Sequence, residues 1–455
     1  VGGGGGRPVF YHQKNRWTYA SKEAAYTSPH KFGKLQKIES PEAEDLFFHK
    51  SAQNHDDGSA VALLAYKTPK KEKPKDRQHR SFQLMHLSAD GLPTFKEKIT
   101  FEQPMAIRYF AVAENPDMGD RFLRYNDKVG NLGRGDLIIL LQASSTFNRK
   151  YYQAVNLDKM TLLVVGKDGS IKMRQELAPP YPSWRVQQSI QLEDGSIVIN
   201  GFGKSSSTTA KAPYDGFLML KIASDYTLAY FQEAPIQVFH EKLKGSPNAS
   251  TAIGFEGKDF TRHFFKATPT GHILIGGQLY EWRKRAKRDA NGAVLKDERG
   301  TIQYERYPYY SGPMLLWHFD DKGQLLAQYS HAATPSKYDY RSSKGPLKPR
   351  FFMNETGTAI YWLYEQVYLN LGPHQKVRPS LGPLKHFVLR YPQVAHVDLS
   401  QQSMSAFSAI GHDPSTQQIF YTPDGVDYFA TPQALYFLGE SYTGQQGWVG
   451  RLDLK

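Results

Sequence analysis

Four arginines recur near the starts of predicted β-strands at almost regular spacing. They are Arg108, Arg185, Arg262 and Arg350, separated by 77, 77 and 88 residues, and each lies beside aromatic residues. A guanidinium binds carboxylate, sulfate or phosphate through two parallel hydrogen bonds. If the strands converge on one channel, the four arginines predict an anion site at its mouth. The alternative is structural: each arginine ties neighbouring repeats together through carbonyl groups or an aspartate.

A second candidate site is the 280–310 segment, where aromatic and basic residues alternate. Asp289–Gly292 and Asp297–Gly300 within it predict successive turns of a projecting hairpin. Tyrosine, tryptophan and arginine dominate the energetics of binding interfaces. The residues expected to bind a ligand are Tyr280, Trp282, Arg283, Arg285, Tyr304 and Tyr307. The alternative is an arm that only packs on its own neighbouring repeat.

Sequence signals for catalysis are weak. The chain has no cysteine, which excludes disulfides, thiolate zinc sites and cysteine nucleophiles. No metal site, cofactor motif or catalytic set is predicted. Gly201–Ser205 resembles the end of a phosphate-binding loop, but position 198, where the first glycine would stand, is valine. His263 beside Arg262 is the candidate if the protein cleaves acidic polysaccharides.

The elements that would position these residues recur along the chain. Six apolar strands follow turn residues, with segments that start at Gly58, Gly135, Gly195, Gly271, Gly357 and Gln433. Most are followed by a second apolar strand that ends in a turn such as Lys167–Gly169 or Asp321–Gly323. Short strands bounded by glycine turns predict an all-β fold built from hairpins. A period near 75 residues suits a four-stranded sheet with one long loop.

This pattern resembles the propeller repeats of secreted and envelope bacterial proteins. The resemblance covers 33–455 and implies a six-bladed β-propeller, with seven blades as an alternative. We expect 33–39 to pair with the C-terminal blade and close the ring. Two stacked β-sandwich domains are the competing architecture. The repeats and arginines also resemble sialidases, although Ser88–Phe95 is one residue short of their recurring turn motif and the other turns do not match it.

The excess positive charge is concentrated in the predicted long loops. The chain carries 57 Lys and Arg against 44 Asp and Glu, a net charge of +13. The loops 67–80, 144–156, 204–215, 281–312 and 366–386 together carry +14. In a propeller these loops share one face, and a field of one sign there would attract anionic partners.

The sequence therefore predicts one propeller domain over 33–455, preceded by a flexible 1–32 extension. Val1–Gly6 reads either as a cloning remnant or as a tether behind a removed export signal or a lipid anchor upstream of Gly2. No apolar run is long enough to span a membrane as a helix. We expect an exported, periplasmic or cell-surface binding or scaffolding protein whose partner is an anionic glycan or a protein. Nucleic acid is disfavoured because no known recognition module is present. The alternative is an enzyme acting on acidic sugars, either sialidase-like or a lyase.

Overall fold

The structure is a computed structural model that divides into two compact units, Val1–Glu233 and Ala234–Lys455. Within its described residues the chain is mostly β-strand in several antiparallel sheets, with one short helix. The described residues are 9–13, 16–20, 36–39, 46–53, 58–66, 79–90, 92–114, 135–143, 147–148, 153–154, 160–181, 183–205, 213–247, 252–289, 292–310, 312–332, 349–371, 387–410, 427–431, 433–440 and 447–455.

The first sheet of the first unit contains β1 (Val9–Gln13), β2 (Arg16–Ala20) and β3 (Gln36–Glu39) in that order. Two of its strands lie inside the range for which the sequence predicted a flexible extension. Gln36–Glu39 pairs with Arg16–Ala20 along one edge, and the expected pairing of 33–39 with the C-terminal blade stays a prediction. Alternation alone marks a strand but does not choose its partner.

Seven strands of the first unit form one sheet made of two four-stranded meanders. Its longest strand, β7, pairs with β6 along its first half and with β8 from Met105 to Val112, so it belongs to both meanders. The strands of this region are β4 (Leu46–Gln53), β5 (Ala60–Tyr66), β6 (His79–Leu87), β7 (Pro93–Val112), β8 (Leu137–Ala143), β11 (Met160–Val165) and β12 (Ile171–Leu177), with β9 (Phe147–Asn148) and β10 (Gln153–Ala154) as a separate pair.

A third four-stranded meander completes the first unit. It consists of β13 (Ser183–Gln191), β14 (Ile197–Lys204), β15 (Gly216–Ile222) and β16 (Leu228–Pro235). Each of the three meanders runs in sequence order from its first strand to its last. The predicted repeat of four antiparallel strands is therefore present in this unit.

The second unit continues the pattern and adds a helix. Its first sheet has the order β17-β22-β21-β19-β18, and β20 pairs with the far end of β19. Its elements are α1 (Ile236–Glu241), β17 (Leu243–Gly245), β18 (Asp259–Ala267), β19 (Ile273–Ala286), β20 (Tyr304–Tyr309), β21 (Met314–Phe319), β22 (Leu325–His331), β23 (Arg350–Met353), β24 (Ala359–Leu371), β25 (Phe387–Asp398), β26 (Ser403–Met404), β27 (Ser408–Ala409), β28 (Asp427–Ala430), β29 (Ala434–Glu440) and β30 (Gly447–Asp453). The strands β23 to β27 form the next sheet and β28 to β30 the last.

The second strand of most repeats begins with a continuous apolar run because both of its faces are buried there. In β8, Ile138 and Leu140 pack in one cluster with the third meander, whereas Leu137, Ile139 and Leu141 pack in another with β5 and β6. The same division places Ile360 and Trp362 of β24 against β21, and Leu363 against β29. Successive sheets in each unit thus stack face to face. A continuous apolar run is the sequence signature of a strand buried on both faces.

The turns that precede these strands repeat as well. Gly58, Gly135, Gly195, Gly271 and Gly357 all have φ between 69° and 83°. This left-handed conformation is open to glycine at little steric cost. The sequence predicted these turns and the strands after them, and the structure confirms both.

A buried glutamine fixes the outer edge of the first sheet in the second unit. The Gln328 side-chain amide donates to the Phe239 carbonyl (3.0 Å), and its oxygen accepts from the Phe255 N–H (3.0 Å) and the Trp317 indole (2.9 Å). Phe239 belongs to α1, which precedes β17, the strand that pairs in parallel with β22. This segment covers an edge that would otherwise expose unpaired backbone groups.

Candidate functional site

The 281–309 segment forms an arm that leaves the core of its sheet. Ile273–Leu279 of β19 is fully buried, but from Glu281 onward the strand is exposed and pairs with β20, with Glu281 opposite Tyr309 and Ala286 opposite Tyr304. The sequence changes here from an apolar run to charged and aromatic residues. This part of β19 therefore cannot join the core and extends beyond it as a hairpin stem.

The end of the arm is a junction of three hairpins. Three backbone hydrogen bonds form a ring: Lys287 N–H to Gln303 O (2.8 Å), Gln303 N–H to Leu295 O (3.0 Å) and Leu295 N–H to Lys287 O (2.8 Å). Between these positions lie two turns, in which Gly292 and Gly300 have φ of 85° and 77°. The predicted turns are confirmed, and the ring joins them to the stem through backbone hydrogen bonds.

One side of the stem, which we call the paired face, neutralises its own charge. It carries Glu281, Arg283, Arg285, Glu305, Tyr307 and Tyr309, which face the same way because cross-strand partners share a side of a sheet. Arg285 bonds Glu305 at 2.5 Å and lies 5.0 Å from the Tyr307 ring. Arg283 lies 3.4 Å from the centroid of Tyr309 and 3.8 Å from the Glu281 carboxylate. Both arginines therefore already have partners.

The opposite side, the basic face, carries positive charge without a carboxylate. It consists of Trp282, Lys284, Ala286, Tyr304, Arg306 and Pro308. Within the described part of the chain, neither Lys284 nor Arg306 has an acidic group at salt-bridge distance. The Arg306 guanidinium lies 5.3 Å from the Trp282 ring, a diagonal contact that places both on this face. Trp282 is 44% exposed and Tyr304 is 58% exposed, so part of each ring is accessible from solvent.

The root of the arm is held by an aromatic group. Tyr280 packs against Trp282 (ring centroids 5.6 Å apart) and against Tyr310 (5.4 Å), and the Tyr310 hydroxyl lies 3.2 Å from Thr261 Oγ1 on β18. On the other side, Lys258 lies 3.9 Å from Glu281. These contacts connect the stem to the sheet that carries it.

The structure divides the residues predicted for the arm between the two faces. Tyr280, Trp282 and Tyr304 lie on the side of the basic face, whereas Arg283, Arg285 and Tyr307 lie on the paired face. The predicted site lacked Lys284 and Arg306. The two-residue period of a strand could have separated these sets, but only once the register between β19 and β20 was known.

The four spaced arginines do not occupy equivalent positions. The first strands of three successive repeats each contain a β-bulge, at which one residue has no partner in the neighbouring strand. The bulged residues are Arg108 in β7, Gln187 in β13 and His263 in β18. Relative to this bulge, Arg185 stands two residues earlier and Arg262 one residue earlier. A shift of one residue along a strand points a side chain to the other face. The regular spacing in sequence therefore does not give Arg108, Arg185 and Arg262 equivalent positions in their own strands.

The contacts of these arginines differ accordingly. Arg108 Nε donates to Gln142 Oε1, and burial lowers the pKa of Arg108 to about 10, so it remains a cation at neutral pH. Arg185 donates to the Tyr214 hydroxyl, and Arg262 lies 6.0 Å from the Phe265 ring. Arg350 is the partly buried first residue of β23, and His263 is also partly buried. These contacts of Arg108, Arg185 and Arg262 lie within each arginine's own repeat and involve no aspartate, so both the anion site at a channel mouth and the tie between repeats stay predictions.

Most of the other basic loops lie outside the described residues, including 67–78 and 372–386. The arm is therefore the part of the predicted charged surface on which side chains can be placed. A cleft of about 430 Å³ opens at its end, lined by Lys296, Asp297, Glu298, Arg299 and Gln303. Among the side chains that the structure describes, no group of three metal-ligating residues comes together. No helix in the same residues is long and apolar enough to cross a membrane.

Comparison with known proteins gives no family. No protein-family model matches the chain, and no curated protein matches its sequence. A mutant of Synechocystis apocarotenoid oxygenase is 10% identical, with a TM-score of 0.28 over 87% of this chain and 67% of its own. Prolyl oligopeptidase B from Galerina marginata is 10% identical, with a TM-score of 0.29 over 96% of this chain and 45% of its own. A Lactobacillus plantarum protein is 10% identical, with a TM-score of 0.23 over 87% and 91%. Likeness at this level carries no inference about activity.

Proposed function

We propose that this protein is a non-catalytic binding module that holds an anionic partner on the basic face of its arm. The observation that carries the proposal is the unequal distribution of charge between the two faces. Arginines on one face are satisfied by Glu281 and Glu305, whereas Lys284 and Arg306 on the other lack an acidic neighbour among the described residues. Exposed cations beside exposed aromatic rings favour a partner that brings its own negative charge.

The architecture that we propose to carry the arm is a six-bladed β-propeller. Four-stranded meanders that stack face to face within each unit support it, as does the glycine turn that recurs before five second strands. Blade number and ring closure are parts of this proposal. We also propose an exported protein of the bacterial envelope, on the resemblance of its repeats to secreted propellers.

Removing the arm tests the binding function. An Asn-Gly turn that joins Glu281 directly to Tyr309 would close the hairpin after their cross-strand pair and leave the sheet in place. We expect the intact protein to bind soluble polyanions in calorimetry and the shortened protein to lose that binding, with neutral polymers bound by neither. The panel comprises a polyuronate, a sulfated glycan, single-stranded DNA and polyglutamate.

Three outcomes would overturn the proposal. The intact protein could bind none of the four polyanions, or the shortened protein could bind them equally well. Alternatively, bound glycan could be converted to new reducing ends or unsaturated products. Chromatography of the ligand after incubation distinguishes that third outcome, because a binding module returns its ligand unchanged.

A further inference from the structure

The basic face has a fixed order of chemical groups along its length. Cross-strand pairs define three rows: Trp282 with Pro308, Lys284 with Arg306, and Ala286 with Tyr304. Successive rows are two residues apart, about 7 Å at 3.4 Å per residue. The two exposed rings therefore lie about 14 Å apart along the strands, with both cations in the row between them.

The middle row suits one anionic group. Directly paired residues have Cβ atoms about 5 Å apart, so Lys284 and Arg306 can reach the same ligand atom or two oxygens of one carboxylate. The Arg306 guanidinium lies 5.3 Å from the centroid of the Trp282 ring. A guanidinium beside an aromatic ring can still donate its N–H groups to a planar acceptor. A carboxylate offers such an acceptor, with two oxygens in one plane.

The density of positive charge disfavours a strongly charged polymer. A nucleic acid strand carries one phosphate per about 3.4 Å along a duplex axis, or about four over the length of this face. The stem offers two cations there, both in one row. The outer rows offer aromatic surface instead, and Trp282 and Tyr304 can cover the apolar faces of uncharged rings.

We propose that the partner is an acidic glycan in which a carboxylate-bearing sugar is flanked by neutral sugars. The carboxylate lies between Lys284 and Arg306, and the flanking rings pack on Trp282 and Tyr304. This inference rests on the proposed binding function of the arm and gives its ligand class. It requires no chemical change in the ligand.

The test compares oligosaccharides and matched variants of the full-length protein. The probes are a trisaccharide with a central uronic acid between neutral sugars, its neutral analogue, a uronic acid monosaccharide, an all-uronate oligomer, single-stranded DNA and polyglutamate. The central-acid trisaccharide should bind best. The double variant Lys284→Gln, Arg306→Gln should weaken that binding about 100-fold, since each removes one charge-assisted contact. The control variant Arg283→Gln, Arg285→Gln removes the same charge from the paired face and should change it less than about 3-fold.

The aromatic rows have their own readout. Trp282→Ala and Tyr304→Ala should each weaken binding of the trisaccharide about 10-fold but leave binding of the monosaccharide unchanged. Trp282→Tyr keeps an aromatic ring and should retain most of the affinity for the trisaccharide. The ligand class is refuted if the all-uronate oligomer, the DNA or polyglutamate binds more tightly than the trisaccharide, although arm-dependent binding of these would leave the broader function standing. Equal losses in both double variants would refute the assignment to the basic face. Binding that survives removal of the arm would refute both proposals.

Discussion

Two buried histidines should make the second unit sensitive to mild acid. His318 on β21 is 1% exposed, and its Nε2 lies 2.8 Å from Nδ1 of His272. Burial lowers the pKa of His318 to about 4, and the neighbouring His272 adds to this effect, with Asp320 opposing it. His331 on β22 contacts the Tyr364 hydroxyl at 3.0 Å, and burial likewise lowers its pKa to about 4. Both side chains are therefore neutral in the folded protein at pH 5.

The sign and size of the effect follow from proton linkage. An unfolded histidine has a pKa near 6.5, so between about pH 6.5 and 4 the unfolded state binds more protons than the folded state. Stability must therefore fall as the pH falls through this window. At 1.4 kcal/mol per pH unit below 6.5, each histidine costs about 2 kcal/mol between pH 7 and pH 5, and the pair about 4 kcal/mol.

Urea unfolding at pH 7 and pH 5 measures this difference. The fluorescence of Trp317, which is fully buried and adjacent to His318, can report the transition. His318→Gln and His331→Gln keep a side-chain amide that can replace each ring N–H but cannot titrate. Each should reduce the loss of unfolding free energy between the two pH values by about 2 kcal/mol. His240→Gln, at an exposed position on α1, is the control.

The linkage argument fails if the doubly substituted protein loses as much stability between pH 7 and pH 5 as the parent. It also fails if the parent gains stability on acidification. An equal change in the His240→Gln control would mean that exposed histidines dominate, and the buried pair would then not be the cause.

Two further predictions concern the sheet that carries the arm. Gln328→Leu leaves the Trp317 indole and two backbone groups buried without their partner and should cost about 3–6 kcal/mol in urea unfolding; a cost below 1 kcal/mol would contradict that role. In Gly277→Ala the new Cβ would clash with the Thr261 carbonyl oxygen, which should cost about 3 kcal/mol in unfolding free energy. Gly292→Ala, with φ of 85° but open space around it, should cost only about 1 kcal/mol. Equal melting temperatures for these two alanine variants would refute the steric explanation.

The arm illustrates how far sequence reasoning reaches. Its aromatic and basic composition and its two turns are visible in the sequence, and the structure confirms the turns. That Lys284 and Arg306 lie on the face without a carboxylate is not visible in the sequence, because it depends on which strand position stands opposite which. The partner of β3 illustrates the same point, because the sequence did not predict that Gln36–Glu39 pairs with Arg16–Ala20. Alternation marks a strand, but the energy of pairing depends on neighbours that are remote in sequence.

Local chemistry determined the strands, the turns and the repeat. A run such as Leu137–Leu141 can bury all its side chains only between two neighbouring sheets, and a glycine such as Gly271 accepts the left-handed conformation that its turn requires. The tertiary structure determined which residues of the arm share a face of its hairpin. The register Glu281–Tyr309 separates the neutralised arginines from Lys284 and Arg306, and a slip of one residue would mix them. Bulges at Arg108 and His263 likewise shift arginines that are evenly spaced in sequence to different positions. Register is set by pairing across the sheet, and no single segment of the sequence contains that information.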